Sequence, residues 1–511
     1  MLRILSNPRR LCTGTARREL LEVGAAGVLG LGLDALLASQ AANREARAAD
    51  GRSADSADAG RFFGRAKHCI LLYLYGSPSQ LETFDMKPDA EVEVRGEMQP
   101  IPSAVPGVSV CEYLPETAQV MDRVSVVRSM THPYPIHGVA YATTGVPTID
   151  VAAELNPFDV RHHPYFASVV QYLQRRQRGG RLPDVPQNVA LPFPFSSKRS
   201  DQPLRAGPYA AYLGAAYNPL WTEFVGEGTK VITKSRAAGF SFTGPEPYLG
   251  CTPDSHFRIG ATGRLPDLTL DRLNRRRTLL QQLDTARRRL EAHAAVASFD
   301  QFQQAAFSLI DNPRIAEALD VRREKDTIRL SYGMTLFGQA ALAARRLIEA
   351  GTRVVSVFWD EYGLAGDAWD THANHFPRMK EQLLPGFDKA FAGLIRDLDA
   401  RGLLDETLVM VLSEHGRTPK IDSKPAGAGR HHWSRAYSIV LAGGGIARGR
   451  IVGATDRHAA DVADNPISPK DILATAYHLL GIDPQTTLPD RTNRPIPLVP
   501  HESRVVTELF G

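Results

Sequence analysis

Short apolar stretches punctuate this chain. Ile70 to Tyr75 is an unbroken run, and "RVSVVRSM" (123–130), "RVVSVFW" (353–359), "TLVMVLS" (407–413) and "YSIVLAGGG" (437–445) are similar. Apolar runs of about four to eight residues without polar alternation predict strands covered on both faces. Between them the spacing changes. "GMTLFGQAALAARRLIEAG" (333–351) and "LLPGFDKAFAGLIRDLDARG" (383–402) carry apolar residues at helical intervals and stop at glycine. In the second, Phe387, Phe391, Leu394, Ile395 and Leu398 share one face. Each helix precedes a strand. The alternation predicts an α/β fold: a mainly parallel central sheet with helices on both faces. Ligands of such sheets bind beyond the carboxyl ends of the strands. That directs attention to residues 76–85, 131–137, 360–375 and 414–418.

Two stretches depart from the alternation. Residues 182–260 are proline-rich and read as extended loops. Residues 265–331, with "LTLDRLNRRRTLLQQLDTARRRLEAHAAV", read as a long charged helix whose arginines form a solvated face. Together they predict a helical and loop-rich insertion, at about 182–331, in one domain spanning 67–511.

The N-terminus is of another kind. Arg17 and Arg18 precede a Gly- and Ala-rich apolar run from Leu20 to Leu37, followed by small residues at 38–42. This order predicts a twin-arginine-type export signal over residues 1–42. Asp34 and the glycines argue against an anchor, so no stable membrane span is expected after cleavage. Residues 43–66, poor in apolar groups, read as a disordered linker. The expected location is periplasmic or secreted.

Composition narrows the function classes. Of 511 residues, 60 are basic and 56 acidic, a net charge of +4 that is too balanced for a nucleic-acid partner. The four cysteines, Cys12, Cys69, Cys111 and Cys251, contain no C-x-x-C spacing, which removes a thiolate zinc site.

The chemistry-bearing residues gather at strand ends. "FWDEYGLAGDAWDTHANHF" (358–376) follows the third predicted strand and holds Asp370, His372 and His375. "SEHG" (413–416) puts Glu414 and His415 side by side, with Gly416 free to turn the chain. "GRHHW" (429–433) brings His431 and His432 just before the fifth strand. Taken singly, each is either a polar turn or half of a site. Taken together, carboxylates with imidazoles are what a hard or borderline divalent cation asks for.

The segments "GSPSQLETFDMKP", "VVRSMTHPYPIHGVAYATTG", "WDTH", "SEHGRTPKI", "GRHHW", "GGGIARGRIVGATD" and "DILATAYHLLGIDP" resemble the exported domain-of-unknown-function 1501 family over most of residues 67–485. That family is similar to sulfatases and alkaline phosphatases. The resemblance implies their fold and one or two divalent metal ions. It implies that Asp370 with His372 forms one metal element, Glu414-His415-Gly416 a second, and His432, beside His431, a third. Two departures stand out. The first strand runs into Gly76 and Ser77 instead of carboxylates, and the nearest acids are Glu82 and Asp85, of which Asp85 is the candidate ligand. The region of the sulfatase nucleophile keeps Thr144-Gly145 but lacks a Cys and a Ser-Arg pair. Ser129 and Thr131 are therefore the candidate nucleophiles, with His132 and His137 as acid/base groups or ligands.

The expected activity is metal-dependent hydrolysis of a phosphate or sulfate ester, small or polysaccharide-borne. Arg417 is the candidate clamp for the anionic group. The rival expectation is an exported binding or structural protein that keeps the scaffold and has lost the chemistry.

Overall fold

A computed structural model describes residues 60–147, 154–157, 159, 161–181, 183–198, 204–235, 241–259, 313–362, 368–423 and 427–511. The expected signal, most of the linker and the charged helix up to 312 lie outside the described residues.

The centre is a nine-stranded sheet. In chain order its strands are β1 (His68–Leu74), β2 (Val124–Met130), β3 (Asn188–Leu191), β4 (Leu220–Val225), β5 (His256–Ile259), β6 (Val354–Trp359), β7 (Thr407–Leu412), β8 (Tyr437–Ala442) and β9 (Arg450–Val452). Their spatial order is β9-β2-β8-β7-β1-β6-β3-β4-β5. β7, β1, β6, β3 and β4 are parallel in sequence across the sheet, and β9 pairs parallel with β2. β8 runs antiparallel to both β7 and β2, and β5 antiparallel to β4. The sheet is thus mixed and mostly parallel.

The five predicted strands are present. β1, β6 and β7 are almost wholly buried, as their unbroken apolar sequences require. The main helices are α1 (Val139–Thr144), α2 (Phe166–Gln177), α3 (Leu336–Glu349), α4 (Leu384–Ala400) and α5 (Pro469–Leu479). Thr335 caps α3 by accepting from the Gly338 amide at 3.1 Å. Ser468 and Asp471 form a capping box at α5. Helices cover both faces, as β6 shows. Successive strand residues point to opposite sides. Phe358 meets Tyr165, at the start of α2, with ring centroids 6.3 Å apart. Its neighbour Trp359 stacks on Phe337 of α3 at 4.5 Å and meets Phe387 of α4 at 6.1 Å. Each such large side chain withdrawn from water contributes about 1.5–3 kcal/mol.

The stretch 182–260 differs from its reading as loops. It supplies β3, β4 and β5 to the main sheet, and a hairpin of Gly228–Ser235 with Ser241–Cys251. Nor does one helix run to 331: Pro313–Leu319 and Asp326–Ser331 are separate short helices. Packing begins before residue 67, because Phe62 and Ala66 are buried and Phe62 lies 5.1 Å from the Phe510 ring. Cys69, Cys111 and Cys251 are free and buried, small hydrophobes as expected. No helix among the described residues is long and apolar enough to cross a membrane.

Candidate metal centre

Strand register levels the chain ends that carry the candidate residues. Tyr73 of β1 lies opposite Phe358 of β6 and Leu412 of β7, so residues 75–77 and 413–415 leave the sheet at one edge. β8 runs the other way, with Tyr437 opposite Met130. Residues just before β8 therefore arrive at that same edge. This is why His431 and His432, which precede a strand, meet residues that follow strands.

Gly76 makes the junction possible. Its φ is +91°, and a Cβ there would lie 2.3 Å from the Asp370 backbone nitrogen. Without one, the loop carrying Asp370 rests directly on the end of β1, where Trp369 N donates to Tyr75 O at 2.9 Å. The Gly76 amide itself donates to Glu414 Oε1 at 2.8 Å. On the other side of the loop, a Cβ on Gly429 would strike the His372 carbonyl at 1.9 Å, so glycine admits the segment bearing His431 and His432.

The result is a cluster of imidazole nitrogens around one carboxylate. Asp370 Oδ1 lies 2.9 Å from His372 Nε2 and 3.3 Å from His432 Nε2, and its Oδ2 lies 3.1 Å from His137 Nε2. The Nε2 atoms of His372 and His432 are 3.0 Å apart. His415 packs its ring 4.4 Å from that of His432. Two sets of groups are close enough to hold an ion: His137, His415 and His432, and Asp370, His372 and His432. A tetrahedral ion with bonds of about 2.0–2.1 Å has ligand–ligand edges of about 3.3 Å, close to these spacings.

The second nitrogen of each ring tells which atom is left for an ion. His415 Nδ1 donates to Gly416 O at 2.8 Å, and its buried Nε2 has no hydrogen-bond partner. His137 Nδ1 donates to Glu414 Oε1 at 2.8 Å. His372 Nδ1 faces His431 Nδ1 at 2.7 Å, and His431 Nε2 donates to Asp422 Oδ2 at 2.8 Å. In each case an acceptor holds the far proton, and Nε2 is turned to the cluster.

The electrostatics favour a cation. Burial disfavours a charged Asp370, yet Arg417 and the three histidines hold its carboxyl far below the usual range. Glu414 is likewise held low despite full burial, by His137 and the Gly76 amide. Burial lowers His137, but the two carboxylates outweigh it and raise it. Burial, with His432, His137 and Arg417 nearby, keeps His415 neutral. The donor set fits a borderline divalent ion.

Several expected site residues lie elsewhere. Asp85 is buried against Lys87 at 2.9 Å and Arg128 at 3.7 Å, and it accepts from Thr455; β1's turn carries it away from the cluster. His375 is fully buried between the Thr371 hydroxyl (2.7 Å) and Glu82 (3.1 Å). Arg417 is no anion clamp. Its donors go to Ser77 O, Arg430 O, Trp369 O and, at 2.6 Å, Asp370 Oδ1, so it holds the loop in place. His132 uses both nitrogens on backbone, Glu414 O at 2.8 Å and Tyr134 N at 3.2 Å, and burial pushes it down to about 4. Ser129 is fully buried, its hydroxyl turned to Gly453, where a Cβ would come within 1.9 Å. Thr131, by contrast, follows β2 at the edge where the cluster gathers, its amide bonded to Ile467 O at 2.8 Å.

Three further residues border the cluster. Tyr75 stacks on His137 with centroids 5.2 Å apart, the Arg205 guanidinium lies 5.8 Å over the Tyr75 ring, and Glu154 is buried with Oε1 unpartnered. Burial pushes the Glu154 carboxyl up to about 7 against the pull of Arg205 and His137. No motif marks Glu154 or Arg205 in the sequence. Only tertiary contact, with Ala206 N donating to Glu154 O at 2.7 Å, brings the two segments together.

No curated protein matches the sequence. Among solved structures, the chain is similar to the PsFucS1 sulfatase from Pseudoalteromonas sp., 10% identical, with 90% of this chain and 76% of that chain covered and a TM-score of 0.39. The phosphonate monoester hydrolase SpPMH from Silicibacter pomeroyi is 11% identical, with 87% and 76% covered and a TM-score of 0.34. That from Agrobacterium radiobacter is 13% identical, with 87% and 77% covered and a TM-score of 0.30. Over residues 66–510 the chain matches the family described as "Protein of unknown function (DUF1501)", and it belongs to that family.

Proposed function

We propose that this chain is an exported, metal-dependent hydrolase of phosphate or sulfate esters. One observation carries the reading: Nε2 of His137, His372 and His415 are each turned to a common cluster by an acceptor on the far nitrogen, with Asp370 among them. A polar surface loop has no reason to fix ring after ring in this way. The bound group is one or two divalent ions, held by Asp370, His372, His432, His137 and His415. Such an ion supplies a Lewis acid that activates water and offsets charge on the ester oxygens.

The chain's own residues do the rest. Asp370 is fixed by Arg417 at 2.6 Å and His137 by Glu414 at 2.8 Å, so both hold their direction without reorganising. Because the Ser129 hydroxyl faces Gly453, water is the attacking group in this scheme and Ser129 is structural. Glu154, raised by burial towards neutrality, is the group suited to give a proton to the leaving oxygen.

The test is metal analysis of the purified protein, then of Asp370→Ala and His415→Ala, with turnover of aryl phosphate and aryl sulfate esters. Bound zinc-like metal that falls in both variants, with turnover that falls alongside, is the expected result. Stoichiometric metal without turnover of either ester would favour a binding protein on this scaffold. Wild-type protein that retains no metal after supplementation would end the proposal.

A further inference from the structure

Arg417 was the arginine that the motif offered for holding an anion, and four of its five guanidinium donors go to protein acceptors. A planar guanidinium beside the metal would add directional hydrogen bonds to an ester's oxyanion. Arg205 is placed for that role. Its guanidinium lies 5.8 Å over the Tyr75 ring, and Tyr75 stacks on the candidate ligand His137 at 5.2 Å. The two legs place Arg205 at most 11.0 Å from the His137 ring centre.

Its bonding differs from that of Arg417 as well. Arg205 Nε is buried and makes no hydrogen bond. Among the described residues, no carboxylate lies within ion-pair distance of it. Arg205 lies near enough to Glu154 to draw its carboxyl down, and Glu154 is itself buried with Oε1 unpartnered. A buried guanidinium donor left without an acceptor is unfavourable unless a ligand supplies one. Arg128 and Arg345 also keep buried nitrogens without a hydrogen bond, but each lies within ion-pair distance of a carboxylate, Asp85 at 3.7 Å and Asp397 at 2.9 Å, which Arg205 does not. The stem is anchored: Arg205 N donates to Ser196 Oγ at 2.9 Å, and the guanidinium rests on an aromatic face.

We infer that Arg205 is the residue that recognises the oxyanion of the substrate, with Tyr75 as the platform that aims it at the metal cluster. This rests on the ester-hydrolase reading for its chemistry, and on Arg205's own contacts for its place. Recognition of a tetrahedral oxyanion by a planar fork is what distinguishes arginine from lysine here. Leu155 and Leu204, each adjacent in sequence to one of the pair, are exposed large apolar residues. They give the same region an apolar border.

The experiment titrates metal-supplemented wild type, Arg205→Gln and Arg205→Lys with inorganic phosphate and, separately, inorganic sulfate by calorimetry. Metal per chain is counted on the same samples. Wild type is expected to bind one of the two oxyanions, and the stronger arm identifies which. Arg205→Gln should lose about tenfold or more in affinity with metal content unchanged, the loss of a charge-assisted pair. Arg205→Lys should fall between the two, and it carries the test should the Gln variant not fold. Equal affinity in the variants overturns the inference, as does wild-type protein that binds neither oxyanion. The metal count separates the two proposals. Metal-free wild type sinks the hydrolase reading, while the Arg205 comparison on those same samples still upholds or overturns Arg205.

Discussion

Glu414 and His137 face each other across the sheet edge, with Glu414 Oε1 2.8 Å from His137 Nδ1. The carboxylate is fully buried and also accepts from Tyr73 Oη and the Gly76 amide. It thus fixes the orientation of His137, one of the proposed ligands. Glu414→Gln keeps the shape and loses the charge. Metal affinity should fall about 10–100-fold, read by competition with a chromogenic chelator. Unchanged affinity would show that His137 takes no part in metal binding.

Asp370 carries two burdens, the cluster and Arg417. Asp370→Asn should abolish metal retention and also leave the buried Arg417 cation without its counter-charge. Breaking a buried pair from one side costs about 3–5 kcal/mol. Urea unfolding of metal-free wild type and variant checks the second effect apart from the first. Equal midpoints would mean that Arg417 is compensated by its carbonyl acceptors alone.

Gly76→Ala is a small change with a specific consequence. The new Cβ would meet Asp370 N at 2.3 Å, at a φ of +91°. The Asp370 loop must lift from β1. Stability should fall by at least about 2 kcal/mol, and metal per chain should drop with it. A fully loaded, equally stable Ala variant would contradict the tight seating of the loop.

Glu82 sets an acid limit on the fold. Burial pushes its carboxyl up, but Arg430 and His375 outweigh burial and hold it at about 2. A carboxyl depressed in the folded state contributes stability above its unfolded pKa and loses it as pH falls through the folded one. The contribution is therefore full at neutral pH and fades from about pH 4.5 down to about 2, amounting to about 3 kcal/mol. Urea midpoints at pH 7 and pH 3 should converge for wild type and Glu82→Gln as the pH falls. A constant gap would show that the Glu82 charge is not what matters.

The long runs were legible because burial on both faces leaves no polar alternation, and β1, β6 and β7 were read within about two residues of their limits. β3, β4 and β5 were not. β3 has four residues, and β4 is mostly half-buried, so neither leaves an apolar run to read among the prolines around them. The "SEHG" and "WDTH" clusters were visible as chemistry. Which of their residues turn inward was not: His375, three residues after His372, points into the core to Glu82 instead.

The sequence alone determined the α/β class, the edge at which chemistry gathers and the residue types suited to a cation, because periodicity and composition are local properties. Tertiary structure decided the rest. It ran β8 antiparallel, which carries His431 and His432 to the edge where Asp370 and His415 already stand. It spent Arg417 on Asp370 and set Arg205 over Tyr75. Such assignments depend on strand direction and on competition among buried partners, and both are settled only when distant segments pack.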